Sequence, residues 1–284
     1  MRLLLTGLAL LMLSACSMNE MMVRASMPML EGGIHAMNQE TDLELAETAI
    51  PANLKMLESL IQLDPDNATL HTYAAQGYYG LAYGFNEDTR PQRAVRFYIR
   101  GMKHGFTALR LLGMGDAASL SQDKLEAELG RLDADAVPAL FWTASNWAKW
   151  VDINRDKPEG IIALPKTTAL MKRVLELDET FYYGGAHMYF GVYYGARAPM
   201  FGGDFERAEQ HFNRAREIND NNLLIVDVLQ AQYLERQRFD RKRFNQLLRR
   251  VENAPDDLDP DMALMNQIAK RKAGLLLGRE SSWF

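Results

Sequence analysis

Apolar residues recur along most of the chain at the three- and four-residue steps of an α-helix, and the alternating pattern of a half-buried strand is absent. The clearest run begins near residue 46. Pro51 opens a predicted helix that places Leu54, Leu57, Leu60 and Ile61 on one face, and Asp64-Pro65-Asp66-Asn67 stops it and caps the next. A longer helix follows to about Asn86, and another runs from Thr89-Arg90-Pro91 to about His104. The spacing predicts an all-α fold.

The same design returns 114 positions later. Pro51 pairs with Pro165, Leu63-Asp64 with Leu177-Asp178, Gly77 with Gly191 and Tyr79 with Tyr193. Arg93-Ala94 pairs with Arg207-Ala208, Tyr98 with Phe212 and Arg100 with Arg214, all without a gap. A fixed offset of this length marks an internal duplication of a three-helix unit, about 51–104 and 165–218. The unit resembles the tetratricopeptide repeat. Phe190-Gly191 and Tyr194 sit as the first-helix residues of that motif do, and Ala208, Phe212 and Ala215 follow at its second-helix spacing. Both copies depart from it in the same way, with 17 positions from glycine to alanine, which lengthens the first helix or its turn. The resemblance implies helical hairpins stacked as a compact α-superhelix, in a single domain over residues 46–284.

Almost no charge interrupts the long helix from Asn67 to Asn86 or its duplicate. A helix apolar nearly all round is buried, or stands between a core and an enclosed cavity. Buried tyrosine hydroxyls need partners, so Gln76, Tyr79, Tyr83 and Tyr193 are candidate lining residues of a lumen, with plain core packing the other reading. Between the copies, Pro138 suits the first turn of a helix capped by Asp135. Phe141, Ala144, Ala148 and Val151 form one face of it; Thr143, Trp147, Trp150 and Asn154 form a second. Aromatic anchors beside amides make Trp147, Trp150, Asn154 and the adjacent Arg155 candidates for a ligand or partner site.

The N-terminus carries a different signal. Arg2 precedes an apolar run from Leu3 to Leu13, too short to span a bilayer and matching the hydrophobic region of an export signal. Leu13-Ser14-Ala15-Cys16 resembles a lipobox, with the only cysteine of the chain at the acylated position. The expectation is removal of residues 1–15, diacylglycerol on Cys16, and a body held at the membrane by acyl chains. Ser17 stands where an aspartate would suggest inner-membrane retention, which favours the periplasmic face of the outer membrane. Residues 16–45, rich in methionine and containing Gly32-Gly33, are expected to form a flexible lipidated tether. Thioethers suit Cu(I), but no neighbouring cysteine or closely spaced histidine completes a site.

Composition narrows the chemistry. With 284 residues, 48% hydrophobic and 24% charged, the chain is a folded globular protein. A net charge of −5 offers no global field for nucleic acid, and one cysteine excludes an internal disulfide. The histidines at 35, 71, 104, 187 and 211 show no metal-ligand spacing. Asp152, Asn154 and Asp156 imitate the opening of a calcium loop, but Lys157 replaces its glycine and Ala163 its closing glutamate. Nucleophile-elbow, phosphate-cradling and dinucleotide motifs are absent, so neither an enzyme nor a bound cofactor is expected. The basic run from Arg236 to Arg250, interleaved with Phe244, Leu247 and Leu248, is the solvated face of an amphipathic helix.

Several segments jointly resemble the T component of tripartite ATP-independent periplasmic (TRAP) transporters. They are the lipobox, the Leu63 to Asn67 stop, Ala74-Ala75-Gln76-Gly77-Tyr78, Pro138 to Trp142 through Asn154-Arg155-Asp156, and Gly202-Gly203-Asp204. The resemblance covers roughly residues 46 to 280. It implies a non-catalytic periplasmic lipoprotein that associates with the transporter's solute-binding (P) subunit. It further implies a homo-oligomer, a trimer favoured, with apolar cavities or pores for small hydrophobic molecules. That family offers no motif-defined catalytic residues to carry over, and only Cys16 transfers. An adaptor that assembles envelope proteins and takes no small molecule is the alternative.

Overall fold

The computed structural model describes the backbone of residues 2–284 and the side chains from Met18 onward. The expected signal segment 1–15 and the acylation site Cys16 lie outside the residues whose side chains are described. Among the described residues every regular element is helical, as the periodicity predicts. The chain runs through α1 (Arg2–Asn38), α2 (Leu43–Leu63), α3 (Ala68–Phe85), α4 (Pro91–Leu111), α5 (Gln122–Leu129), α6 (Val137–Ile153) and α7 (Pro158–Leu177). It continues through α8 (Phe181–Gly195), α9 (Phe205–Ile218), α10 (Ile225–Leu229), α11 (Arg236–Arg238), α12 (Arg241–Asn253) and α13 (Ala263–Leu277). A π-helical turn, Gln230–Glu235, joins α10 to α11.

Local chemistry explains the boundaries. The Asp42 carboxylate accepts from Glu44 N and Leu45 N to start α2, and Asn67 Oδ1 accepts from Leu70 N to start α3. Asp64 closes α2, so the tetrapeptide read as a stop and a cap performs both roles. Pro51 does not open its helix. It lies inside α2, and its partner Pro165 likewise lies two turns inside α7, where Pro158 holds the first turn. The cap at Asp42 lies farther from the apolar stripe than the proline does, which is why the proline looked like the start.

The stretch from Met18 to Asn38 is helical rather than a flexible tether. Val23, Met27, Leu30 and Ile34 recur at four-three-four spacing and pack on Leu57, Ile61, Leu70 and Ala74 of α2 and α3. Tyr73 Oη donates to Glu31 at 3.3 Å. A shortage of aromatics hid a one-sided apolar stripe, while Met18, Met21, Met22 and Met29 stay exposed.

Two cores share the body. Helices α4 to α8 enclose one, built on Leu140, Phe141, Trp142 and Leu170. Tyr98, Phe212, Leu234 and Phe244 build the other, between α3, α4 and the elements from α9 onward. Tyr79 and Tyr194 touch both, so the seam between the cores is aromatic.

One turn beside this seam is strained. Tyr182 (φ 49°, ψ 50°), Tyr183 (φ 59°, ψ 36°) and Gly184 (φ 82°, ψ 32°) are all left-handed, and the right-handed helix begins only at Gly185. For a tyrosine this conformation costs of order 1–3 kcal/mol and persists only where surroundings impose it. Here Trp142 meets the Tyr182 ring edge-on at 4.7 Å, and Asn219 Nδ2 donates to the Tyr183 carbonyl at 3.3 Å.

The 114-residue pairing does not equate contacts. A Cβ on Gly77 would press on Leu54 of α2, whereas one on Gly191 would press on the Phe212 ring of α9. The paired glycines face opposite neighbours in their units.

Candidate functional site

Two cavities meet at the seam. One of about 270 Å³ lies among α6, α7, α8 and the π-helical turn, and another of about 200 Å³ lies among α1, α2, α3 and α13. Tyr79, Tyr83, Trp142, Tyr182 and Met265 line both and form the septum between them. Helix phase explains the α6 contribution. Trp142, Ser145, Lys149 and Asp152 step along one stripe, all on the wall of the larger cavity. The left-handed turn delivers Tyr182, and the π-helical turn delivers Tyr233. Such turns recur at functional sites because they re-aim single side chains.

Beside the septum stands a charge-balanced set. Lys149 Nζ bonds Glu87 Oε1 at 2.8 Å, and Lys272 Nζ bonds Asp88 Oδ2 at 2.7 Å. Both ammonium groups lie over the Tyr83 ring, 4.8 and 4.3 Å from its centroid. Burial alone would push the Glu87 carboxyl up, but Lys149 and Lys272 beside it hold it below the usual range. Burial would likewise lower Lys149, and Glu87 instead holds it well above the ordinary lysine value. The Tyr83 hydroxyl is buried without a hydrogen-bond partner. Burial pushes the Tyr79 phenol up to about 12 and that of Tyr182 higher still, so the interior presents neutral phenols. At the opposite end of the larger cavity, Asp152, Arg155 and Arg197 line its exit to solvent, with Arg155 79% exposed.

The structure divides the expected site residues. Tyr79 and Tyr83 line both cavities, Gln76 the smaller, and Tyr193 and Arg155 the larger. Trp147, Trp150 and Asn154 line neither. Trp147 is core, edge-on to Phe106 at 5.0 Å, and Trp150 packs against the same core. Asn154 caps α6, donating to the Trp150 carbonyl and accepting from Lys157 Nζ. The cavity stripe lies one to two residues earlier along α6 than the stripe read from the sequence. Lys149 and Asp152, the charges on that helix, could have marked it.

The histidines hold a second unread pattern. His71 and His104 meet Nδ1 to Nδ1 at 3.0 Å across α3 and α4, as do His187 and His211 at 2.9 Å across α8 and α9. Tyr78 stacks on His104 and Tyr194 on His211, each at 5.8 Å. Arg100 covers Tyr78 and Arg207 covers Tyr194. The signal was a histidine seven residues before a tyrosine, then an arginine four before a histidine, present twice. Each set clamps two neighbouring helices together, and among the described residues no three potential metal ligands converge.

Much of the basic run is internally neutralised. Arg250 and Arg216 both bind the buried Asp227, Arg241 binds Glu280, and Arg249 binds Glu252. Its apolar residues Phe244, Leu247, Leu248 and Val251 are buried, as an amphipathic helix requires.

Among the described residues no helix is long and apolar enough to cross a membrane. A search of curated proteins returned no match. The family model described as TRAP transporter T-component matches residues 39–284, a span that takes in both cavities except for the part of the wall that α1 supplies. An accessory role in periplasmic transport accompanies that match, and the chain belongs to the TRAP transporter T-component family.

Proposed function

We propose that this protein is a non-catalytic accessory subunit that holds a small apolar molecule in its aromatic interior and exchanges it with the solute-binding subunit of its transporter. The observation that carries this reading is the pair of cavities sharing one aromatic septum. A chain building only a scaffold gains nothing from the strain at Tyr182 and Tyr183, which delivers the Tyr182 ring to that septum. Exposed Ile161, Ile162, Met200 and Phe201 lie within four residues of the cavity-lining Leu164 and Arg197, and they offer the partner an apolar landing. In this reading residues 1–15 are removed on export, and Cys16 carries the lipid at the periplasmic face of the outer membrane. The α3/α4 and α8/α9 pairs are degenerate tetratricopeptide hairpins, and the body assembles as a homotrimer.

Native mass spectrometry of residues 17–284 tests the proposal. The expected spectrum is a closed oligomer carrying extra small-molecule mass, and the same body should retain the solute-binding subunit of its own cell. A bare monomer that retains no such subunit would sink the reading in favour of the adaptor.

A further inference from the structure

The proposed apolar cargo leaves open what the exit of the larger cavity recognises. Resting on the cargo reading above, we infer that this exit is a head-group site, and that the cavity takes an anionic amphiphile: an apolar body ending in a carboxylate held between Arg155 and Arg197.

The first support is how Arg197 is held. Its Nε and Nη2 donate to the Tyr193 carbonyl at 3.2 and 2.9 Å, and its guanidinium lies 4.0 Å from the Tyr193 ring centroid. Those contacts fix the plane and leave Nη1 undonated. Among the described residues no carboxylate comes within ion-pairing distance of Arg197, whereas Lys149 on the wall of the same cavity is paired with Glu87 at 2.8 Å. Arg155 is barely engaged, its nearest acid being Asp152 at 3.8 Å across exposed side chains. The exit therefore carries one net positive charge, while the septum beyond it is balanced by Lys149 with Glu87 and Lys272 with Asp88. A second anion deep inside would be desolvated without a free partner, so the charge belongs at the exit and the apolar body inside.

The second support is backbone. Each arginine sits in a turn that only glycine permits. A Cβ on Gly203 would collide with the Arg197 carbonyl, around which the Ala198 to Gly203 loop closes. A Cβ on Gly160 would collide with the Asn154 carbonyl and crowd Arg155 N. Two separate turns thus fix the backbone at two guanidinium-bearing residues that line the same cavity. Planar, forked donors that remain unpaired beside an apolar wall suit a carboxylate.

Isothermal titration of the full chain in lipid nanodiscs, with empty nanodiscs as blank, decides the matter using decanoate, decanol and decylamine. Decanoate should bind at least about tenfold more tightly than decanol, and decylamine more weakly than either. Arg197→Gln should bring decanoate to the level of decanol while leaving decanol unchanged, and Arg155→Gln should reduce the gap severalfold. Arg197→Lys should recover part of it. Unchanged decanol binding doubles as the check that the variants are folded. Equal binding of decanoate and decanol by the unmodified chain, or a gap that survives both glutamine variants, overturns the head-group site and leaves the apolar cavity standing. Binding of none of the three overturns the cargo reading itself.

Discussion

The two halves of the body, around the pairs α3/α4 and α8/α9, carry the same four-residue clamp. In the first, His71, Tyr78, Arg100 and His104 form the clamp; in the second, His187, Tyr194, Arg207 and His211 do. The first-helix members are displaced by 116 positions and the second-helix members by 107, whereas the sequence pairing runs at 114. Two extra residues precede the second clamp, where the left-handed turn at Tyr182 to Gly184 takes them up. Nine fewer separate its tyrosine from its arginine. That length is the structural difference. Helix α3 continues past Tyr78 to Phe85 and carries Tyr83, with Glu87 and Asp88 just beyond, into the septum. Helix α8 stops one residue after Tyr194 and turns back to build the Arg197 rim. One clamp serves both halves, and the overhang beyond it decides which part of the interior each supplies.

The largest expected contrast is between the glutamates of the two halves. Glu87→Gln leaves Lys149 charged and enclosed without its carboxylate, and should cost about 3 kcal/mol in denaturant unfolding. An intermediate effect comes from pH. Burial first, and the facing imidazole second, hold His104 and His211 down to about 4, against an ordinary 6.5. Depressed histidines leave the unfolded chain binding protons first, so stability should fall as pH drops from 6.5 towards 4, by about 1 kcal/mol or more, and flatten below. Melting curves across that window for His104→Gln and His211→Gln should lose slope equally. A slope change in only one variant would break the equivalence of the clamps. The smallest effect belongs to Glu179, which bridges His187 and Arg214 in the second half while 41% exposed. Glu179→Gln should cost under about 1 kcal/mol by the same unfolding measurement, and parity with Glu87→Gln would erase the contrast.

Sequence periodicity reaches some of this and stops at identifiable places. The apolar stripe of α2 and the amphipathic α12 are legible because polar residues contrast with apolar ones around the helix. Helix α6 lacks that contrast over most of its length, so its sequence points to Trp147 and Trp150, whereas packing puts Trp142 on the cavity wall. The clamp histidines show no single-helix spacing, because each pair joins two helices. The turn at Tyr182 had no sequence signal, because tyrosine is not a residue that favours left-handed backbone. The rim is half legible: Arg155 follows the aromatic-amide pattern of α6, but Arg197 sits in a loop with no helical phase to read.

The π-helical turn carries an evolutionary corollary. A turn of this kind is an ordinary α-helix that has accepted one inserted residue. Undoing that insertion within Gln230–Glu235 would restore regular winding and swing Tyr233 about 100° around the axis, away from the larger cavity. This part of the cavity wall is thus separated from a regular α-helix by a single codon, a short route by which interior space is gained or lost.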